Sequence, residues 1–275
     1  MLDEVLGLLA CPVCGAAPLA RGPGGLRCAA GHAFDVARQG YVNLLTGLAP
    51  AGADTPAMVA ARSELFAAGH LAPLTAAIVA QLPPSVTTAV DVGAGTGDHL
   101  AAVLDARPGS VGVALDVSKA AARRNARAHP ALGSVIADVW RRLPLTDACA
   151  DVILDIFAPR HGGEFGRVLR PAGTLLVVTP TRAHLAELVG PLKLLTVDPG
   201  KRDRVQESLG QWFEPVHREE LSYGLRLSRG EAARFVAMGP SAWHTAADEL
   251  AVRLEALLEP ITVTISTELT RWRPR

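Results

Sequence analysis

The sequence lacks a long hydrophobic run, a net charge and a basic N-terminus. Although 49% of its 275 residues are hydrophobic, no apolar run is long enough to span a bilayer. The first residues, Met1-Leu2-Asp3-Glu4, are acidic where a secretory signal would be basic. The 27 basic and 27 acidic residues exclude a protein that binds nucleic acid through its overall charge. We therefore expect a cytoplasmic protein without a membrane partner, in which any RNA contact is local.

Cysteine is scarce, and three of the four cysteines lie near the N-terminus together with a histidine. Cys11-Pro-Val-Cys14 and Cys28-Ala-Ala-Gly-His32 form two close pairs, and Cys149 is far from both. One such pair could be two small buried residues, but two pairs in a short segment are typical of a tetrahedral zinc site. Four protein ligands saturate zinc, so the site should be structural. The segment 21–25, Arg-Gly-Pro-Gly-Gly, predicts a hairpin tip between two short strands.

A glycine-rich turn follows the first strand-like segment of the larger part of the chain. Residues 87–92 are rich in β-branched side chains and lead into Gly93-Ala-Gly95-Thr96-Gly97, which precedes a helical segment at 98–107. Dinucleotide-binding folds begin in the same way, but they need a glycine where this sequence has Asp98. Asp91 adds a carboxylate suited to a cationic amino-acid group rather than to a pyrophosphate. We predict that Asp91, Gly93, Gly95, Thr96 and Gly97 bind a cofactor.

Acidic residues follow the next two predicted strands. Asp116 ends the segment 110–115, where a carboxylate can accept hydrogen bonds from both hydroxyls of a ribose. Asp138 follows the segment 134–137 and can accept from an adenine amino group, and Trp140 can lie against the purine. Either residue could instead be structural, and Trp140 could be a packed aromatic.

Strands and helices alternate along this part of the chain, which predicts an α/β fold with a doubly wound parallel sheet. A fourth strand at 152–157 ends in Phe157-Ala-Pro159, and a fifth is predicted at 175–179. Ligands bind over the carboxyl ends of the strands in such sheets, so the predicted cofactor residues and Phe157 should converge. Segments 221–227 and 261–269 should complete an antiparallel edge.

At this point the sequence resembles the bacterial 23S rRNA guanine-N1 methyltransferases, over nearly its whole length. The resemblance rests on the two ligand pairs and on Gly31-His-Ala-Phe-Asp-Val-Ala-Arg-Gln-Gly-Tyr-Val-Asn-Leu-Leu45, Ala68-Gly-His70, Asp91-x-Gly-x-Gly-x-Gly97, Leu115-Asp-Val-Ser-Lys119, Phe157-Ala-Pro159 and Thr179-Pro180. It implies a class I, Rossmann-like S-adenosylmethionine-dependent methyltransferase with an N-terminal zinc-binding domain.

The resemblance also implies a substrate and further site residues. The substrate would be N1 of a guanine in hairpin 35 of 23S rRNA, close to the macrolide site. Leu71, where the family often has tyrosine, and His184 would lie against the cofactor, and the protein would be a homodimer. Phe157-Ala-Pro159 and Met238-Gly-Pro240 resemble the tylosin-resistance branch, which implies guanine 748 rather than guanine 745 and a role in macrolide resistance.

For the catalytic step we predict that the Phe157 ring stacks on the base and that backbone carbonyls around Pro159 orient it. Either these carbonyls or the Asp155 carboxylate should accept the proton, although a mid-strand acid more often supports a helix N-terminus. His184 is the alternative base. Arginine-rich patches, which are Arg160, residues 201–204 and residues 271–275, should hold the RNA backbone.

The predicted domains are a zinc-binding RNA-recognition domain at 1–40, a linker at 41–70 and a methyltransferase domain at 71–275. Two alternatives remain. A methyltransferase of the same fold could act on a small molecule, because the cofactor half does not specify the acceptor; the zinc module argues against it. A non-catalytic zinc RNA-binding protein is the second alternative, and the intact Asp91, glycine turn and Asp116 argue against that.

Overall fold

The computed structural model describes residues 2–48, 50, 52–198, 200–244 and 247–275. Two β-sheets are formed within these residues. A small sheet contains β1 (Ala20–Gly22), β2 (Gly25–Arg27) and β3 (Ala33–Asp35). The large sheet contains β4 (Tyr41–Asn43), β5 (Thr88–Val92), β6 (Val111–Asp116), β7 (Leu132–Ile136), β8 (Ala150–Ile156), β9 (Leu169–Pro180), β10 (Phe213–Leu227) and β11 (Ile261–Pro274).

Helices connect the strands of the large sheet and cover its faces. They are α1 (Pro56–Ala67), α2 (Ala72–Ala80), α3 (Asp98–Ala106), α4 (Lys119–Asn125), α5 (Gly162–Val168), α6 (Ala186–Leu192), α7 (Lys201–Leu209), α8 (Arg229–Ala237) and α9 (Ala247–Glu255). Short 3₁₀ helices lie at Leu2–Leu8 and Pro240–Trp243. Ser118 caps α4 as expected of an N-cap serine, because its Oγ accepts a hydrogen bond from the Ala121 amide at 3.2 Å.

The large sheet is doubly wound, as the alternation of strands and helices predicts. Its strand order is β10-β11-β9-β8-β5-β6-β7-β4, and the strands from β9 to β4 are parallel. The chain leaves β5 for β6 on one side and later returns to β8 on the other side. The switch in direction therefore lies at the carboxyl end of β5, where this class of sheet opens a crevice for ligands.

The predicted antiparallel edge is present and is longer than expected. Strand β11 pairs antiparallel with β9, and β10 pairs with β11 along its length with one irregularity near Pro215. Burial of β10 is low at residues 215–220, which are largely polar. The hydrogen bonds to β11 extend this strand beyond residues 221–227, which were predicted from the hydrophobic pattern.

The N-terminal module packs on the large sheet. The predicted hairpin is confirmed, since β1 and β2 pair antiparallel around the turn and β3 adds a third strand. Leu9 forms a β-bridge with Leu145, and a Cβ added to Gly133 would lie 2.1 Å from Cγ2 of Val5. Buried residues of the module, including Leu19 and Leu26, belong to the same hydrophobic cluster as β5 to β7. The module and the large sheet therefore share one hydrophobic core.

The segment 41–70 is more ordered than the predicted linker. Strand β4 pairs in parallel with β7 and adds an eighth strand to the large sheet. Helix α1 begins after Thr55, whose side chain accepts from the Met58 amide at 3.2 Å, and it packs against α8 and α4. Hydrophobic residues such as Val42 and Leu65, both fully buried, pack the segment against the rest of the chain.

No single helix in the described part of the chain is long and apolar enough to cross a membrane. Helices α1 and α2, which are bent by 79° relative to each other, meet the length and composition criteria only as a pair.

Candidate functional site

The four predicted metal ligands converge at one end of the N-terminal module. The ligand atoms of Cys11, Cys14, Cys28 and His32 all lie within 4.8 Å of one another. The Sγ atoms of Cys14 and Cys28 are 3.8 Å apart, and Nδ1 of His32 lies 3.6 Å from Cys11 Sγ and 3.4 Å from Cys28 Sγ. Thiolates at about 2.3 Å from a tetrahedral zinc ion are about 3.8 Å apart. The donor set and its spacing therefore fit zinc with four protein ligands.

Glycines allow the chain to fold around this cluster. Gly15 and Gly31 have φ angles of 73° and 88°, in the left-handed region that favours glycine. The Gly15 amide donates to the Cys11 carbonyl at 2.8 Å, and the Gly31 amide donates to the Cys28 carbonyl at 3.0 Å. These two tight turns bring both members of each ligand pair to the same point.

The glycine turn after β5 forms a cradle that side chains would fill. Gly93, Gly95 and Gly97 have φ angles of 74°, 53° and 81°. A Cβ on Gly93 would lie 2.6 Å from the Cβ of Ala158, and one on Gly97 would lie 2.7 Å from the Cβ of Asn125. Thr96 is buried between these glycines. Glycine is therefore required at these positions both by the left-handed backbone and by close packing against Ala158 and Asn125.

Asp116 lies at the end of β6 beside the glycine turn. Its two carboxylate oxygens accept hydrogen bonds from the Gly95 and Ser118 amides, both at 2.8 Å. Burial raises the pKa of Asp116, although these amide donors oppose the shift. The predicted ribose-binding carboxylate and the predicted glycine turn are therefore in direct contact.

Asp91 is buried near two other carboxylates. Burial, and then the negative charges of Asp116 and Asp155, raise the pKa of Asp91 to about 8. A buried carboxyl group with such a raised pKa stays protonated near neutral pH and loses its proton only when a positive charge comes close. This electrostatic environment suits the cationic amino-acid group for which Asp91 was predicted.

The Asp91→Asn variant should alter the pH dependence of stability. The unfolded chain loses this proton near the ordinary value of 3.8, whereas the folded protein retains it up to about pH 8. The stability that Asp91 contributes is therefore complete below the unfolded pKa and is lost as the pH rises towards the folded pKa. In urea unfolding between about pH 5 and pH 8, we expect the variant to lose less stability than the wild type.

Asp151→Asn is the matched control for this prediction. Partial burial raises the Asp151 pKa, but hydrogen bonds from the Thr87 side chain and the Thr87 and Thr88 amides outweigh it, so the net pKa is lowered. Its stabilising contribution is present at neutral pH and is lost in acid, which is the opposite sign. If the free energy of unfolding depended more steeply on pH in Asp91→Asn than in the wild type, the raised pKa of Asp91 would be contradicted.

The loop after β7 carries the predicted adenine-binding pair. Oδ1 of Asp138 accepts from the Trp140 amide at 3.0 Å, and its other oxygen lies 3.6 Å from Nε of Arg141. The Trp140 side chain is 62% exposed. It is therefore not a packed core aromatic, and its ring is free to lie against a planar ligand.

Phe157 and His184 come together at the carboxyl end of β8. Their ring centroids are 5.7 Å apart. Phe157 is 45% exposed and has a φ angle of 55°, an unusual conformation for a bulky residue that concentrates at functional sites. Pro159 is also exposed. This strand end presents an aromatic face to solvent beside the glycine turn, since Ala158 contacts the Gly93 position.

Two predicted bases have other partners in the structure. Asp155 is fully buried, and its oxygens lie 3.1 Å from Nε and 3.4 Å from Nη2 of Arg160. Burial raises the pKa of Asp155 to about 6, and Arg160 opposes the shift. Nδ1 of His184 lies 3.3 Å from the Ser266 amide, and burial lowers its pKa, so the neutral ring carries its proton on Nε2. Asp155 thus faces Arg160 in this structure, and its role in proton transfer stays a prediction.

Leu71 is buried and belongs to a hydrophobic cluster with Leu65, Leu188 and Phe235. It directly precedes α2, where its carbonyl accepts from the Thr75 amide at 3.0 Å. The side chain contributes packing at this position.

Sequence reasoning missed Arg62, which lies over the glycine turn. A Cβ on Gly95 would be 2.7 Å from Nη1 of Arg62. Arg62 comes from α1, inside the segment predicted as a linker. Local sequence patterns carry no indication of this contact, because the two residues are brought together only by the packing of α1.

Comparison with known proteins finds relatives of the N-terminal module and of the whole chain. A family model described as "RlmA, N-terminal", a zinc ribbon, matches residues 9–46. A protein of Micromonospora griseorubida named "Putative 23S rRNA (guanine-N(1)-)-methyltransferase" is 52% identical over 295 residues, which cover 100% of both chains. A protein of Streptomyces fradiae named "23S rRNA (guanine(748)-N(1))-methyltransferase" is 50% identical over 282 residues, with 100% of this chain and 99% of that protein covered.

The solved structures support the fold. A chain from "Complex between the Haloferax volcanii Trm112 methyltransferase activator and the putative methyltransferase" aligns with a TM-score of 0.52 and 19% identity. The alignment covers 82% of this chain and 99% of that chain.

Proposed function

The chain belongs to the family of 23S rRNA (guanine-N1)-methyltransferases, and from this premise we propose that it methylates N1 of a guanine in 23S rRNA with S-adenosylmethionine as the donor. The observation that carries the proposal is the meeting of the glycine turn, Asp116 and the Phe157 strand end at the switch point of the sheet. Since ribosomal RNA is the substrate, the protein acts in the cytoplasm.

The donor site would be formed by the predicted residues. Asp116 would accept from the ribose, Asp138 from the adenine amino group, and Trp140 would cover the purine. Asp91 would face the amino-acid part of the donor, and the backbone from Gly93 to Gly97 would let the donor lie close to the main chain. His184 would lie against the donor, and Leu71 would support that side of the pocket by packing. When bound, S-adenosylmethionine supplies an electrophilic methyl group on its sulfonium sulfur.

The base would be held at the end of β8. Guanine N1 is buried in paired RNA, so the base must come from a loop or be extruded. The exposed Phe157 ring would stack on it, and the Pro159 carbonyl would accept a hydrogen bond from its pairing edge. Asp155 would hold Arg160 in place instead of touching the base, because both its oxygens face that guanidinium. We assign the N1 proton to water, since neither Asp155 nor Nδ1 of His184 is available to take it.

A positively charged group beside this strand end would hold the RNA. Arg160, Lys201 and Arg204 are close enough that burial, followed by the charges of the two arginines, lowers the pKa of Lys201, although Arg160 is paired with Asp155 and Arg204 with Asp198. Phosphate contacts from such a group orient the RNA without selecting its sequence. The zinc module would add the selective contacts.

The finer assignment is guanine 748 in hairpin 35, and with it resistance to tylosin-type macrolides. It is supported by the name of the Streptomyces fradiae relative, which is similar over the full length, and by the Phe157-Ala-Pro159 and Met238-Gly-Pro240 segments. A methyl group at this position would alter the wall of the macrolide site.

The test is primer extension on unmodified 23S rRNA after incubation with the full chain and S-adenosylmethionine. Methylation of N1 blocks the pairing edge, so reverse transcriptase should stop at guanine 748. RNA with adenine at position 748 is the control and should give no stop there. A stop at guanine 745 would overturn the finer assignment, and read-through at every guanine would overturn the proposed function.

A further inference from the structure

Arg62 occupies a position that the proposed function has not used. Its guanidinium lies on the glycine turn: a Cβ on Gly95 would be 2.7 Å from Nη1 and 3.5 Å from Cζ. The side chain is 23% exposed, so part of it is accessible to solvent beside the turn. Because Gly95 has no side chain, the arginine can rest directly on the backbone of the turn.

Two acceptors hold Arg62 there. Nη1 donates to Oδ2 of Asp54 at 2.5 Å, and Nη2 donates to the Met238 carbonyl at 2.9 Å. Ser118 joins this network to the donor site, because its Oγ donates to the Asp54 carbonyl at 2.6 Å and its amide donates to Asp116. A guanidinium has five N–H donors, so these two bonds leave others for a ligand.

The charges around the turn show which part of a ligand Arg62 would suit. Asp91 keeps its proton up to about pH 8 in the folded protein, and it ionises when a positive group of the donor comes close; the neighbouring Asp116 adds a second acidic group on this side of the turn. His99 is buried, which together with the charge of Arg62 lowers its pKa to about 4, so this ring is neutral near pH 7. The guanidinium of Arg160 is paired with Asp155. Arg62 is itself paired with Asp54, but its charge still reaches both His99 and Asp116 beside the turn.

We propose that Arg62 binds the α-carboxylate of the methionine part of the methyl donor. This inference rests on the proposed function. A guanidinium presents paired N–H groups that match the two oxygens of a carboxylate. In this arrangement Asp91 faces the ammonium and Arg62 faces the carboxylate, so opposite ends of one zwitterion meet opposite charges. Asp54 holds the guanidinium in position, and the Met238 carbonyl joins it to the chain segment after α8.

The test compares S-adenosylmethionine with decarboxylated S-adenosylmethionine, which differs only in lacking the carboxylate. Dissociation constants are measured by calorimetry for the wild type and for Arg62→Met. In the variant, affinity for S-adenosylmethionine should fall about 10- to 100-fold, the expected effect of losing hydrogen bonds to a charged group. Affinity for the decarboxylated compound should change little. Arg62→Lys should retain part of the discrimination, because it keeps the charge without the paired donors.

Arg234→Met is the control variant. Arg234 pairs with Glu64 and links the same two helices, α1 and α8, on the protein surface. It should bind both compounds as the wild type does. The inference would be overturned if Arg62→Met weakened the binding of both compounds equally. It would also be overturned if Arg62→Met bound each compound with the same affinity as the wild type. Failure of the wild type to bind S-adenosylmethionine at all would instead overturn the proposed function.

Discussion

Replacing Cys14 with serine should release zinc from the protein and reduce methylation of 23S rRNA by at least about 100-fold. Cys14 is exposed, whereas Cys11 and Cys28 are also part of the hydrophobic core. This variant therefore removes a metal ligand with little loss of packing. The remaining three ligands cannot complete a tetrahedron, and the small sheet has too few buried residues to keep its turns without the metal. Metal content by mass spectrometry and primer extension measure the two effects.

The control for this prediction is Cys149→Ala. Cys149 is buried in the same hydrophobic cluster but lies outside the metal site. We expect this variant to lose some stability while keeping its zinc and its activity. Full activity of zinc-free Cys14→Ser would contradict a structural role for the metal in RNA methylation.

Replacing Asp116 with asparagine should weaken the binding of S-adenosylmethionine by about 100-fold. Two hydrogen bonds to a charged acceptor are worth about 3 kcal/mol or more together, and about 3 kcal/mol corresponds to roughly this factor. The amide also has only one oxygen, so it cannot serve the Gly95 and Ser118 amides as the carboxylate does. Calorimetric titration of both proteins measures the change.

Asp138→Asn provides the comparison. An amide oxygen can still accept from an adenine amino group, so we expect a much smaller loss of affinity, about five-fold or less. The Asp138 side chain also accepts from the Trp140 amide, and an asparagine can keep that bond. If the two variants lose affinity equally, the ribose and adenine assignments are wrong.

The predicted secondary structure corresponds closely to the core of the fold. Strands β5 to β9 and the capped helix α4 are present where hydrophobic runs, glycine turns and Ser118 indicate them. Local chemistry is enough here, because each buried parallel strand needs a continuous apolar run. Strand β4 in segment 41–70 was not predicted, because this short strand depends on pairing with β7 and has no periodicity of its own. The prediction was also too short for β10, whose polar half is defined by its pairing with β11.

The sequence by itself determined the zinc ligands, the glycine turn and the carboxylates that follow the strands, because each depends on residue types at short spacing. The tertiary structure alone decided the partners of these groups. It placed Arg160 against Asp155, the Ser266 amide against His184, and Arg62 on Gly95. Residues 33 positions apart meet at that last contact only because α1 packs beside the sheet, and no local pattern records such a distance. Burial and neighbouring charge, which set the state of Asp91, likewise exist only in the folded chain.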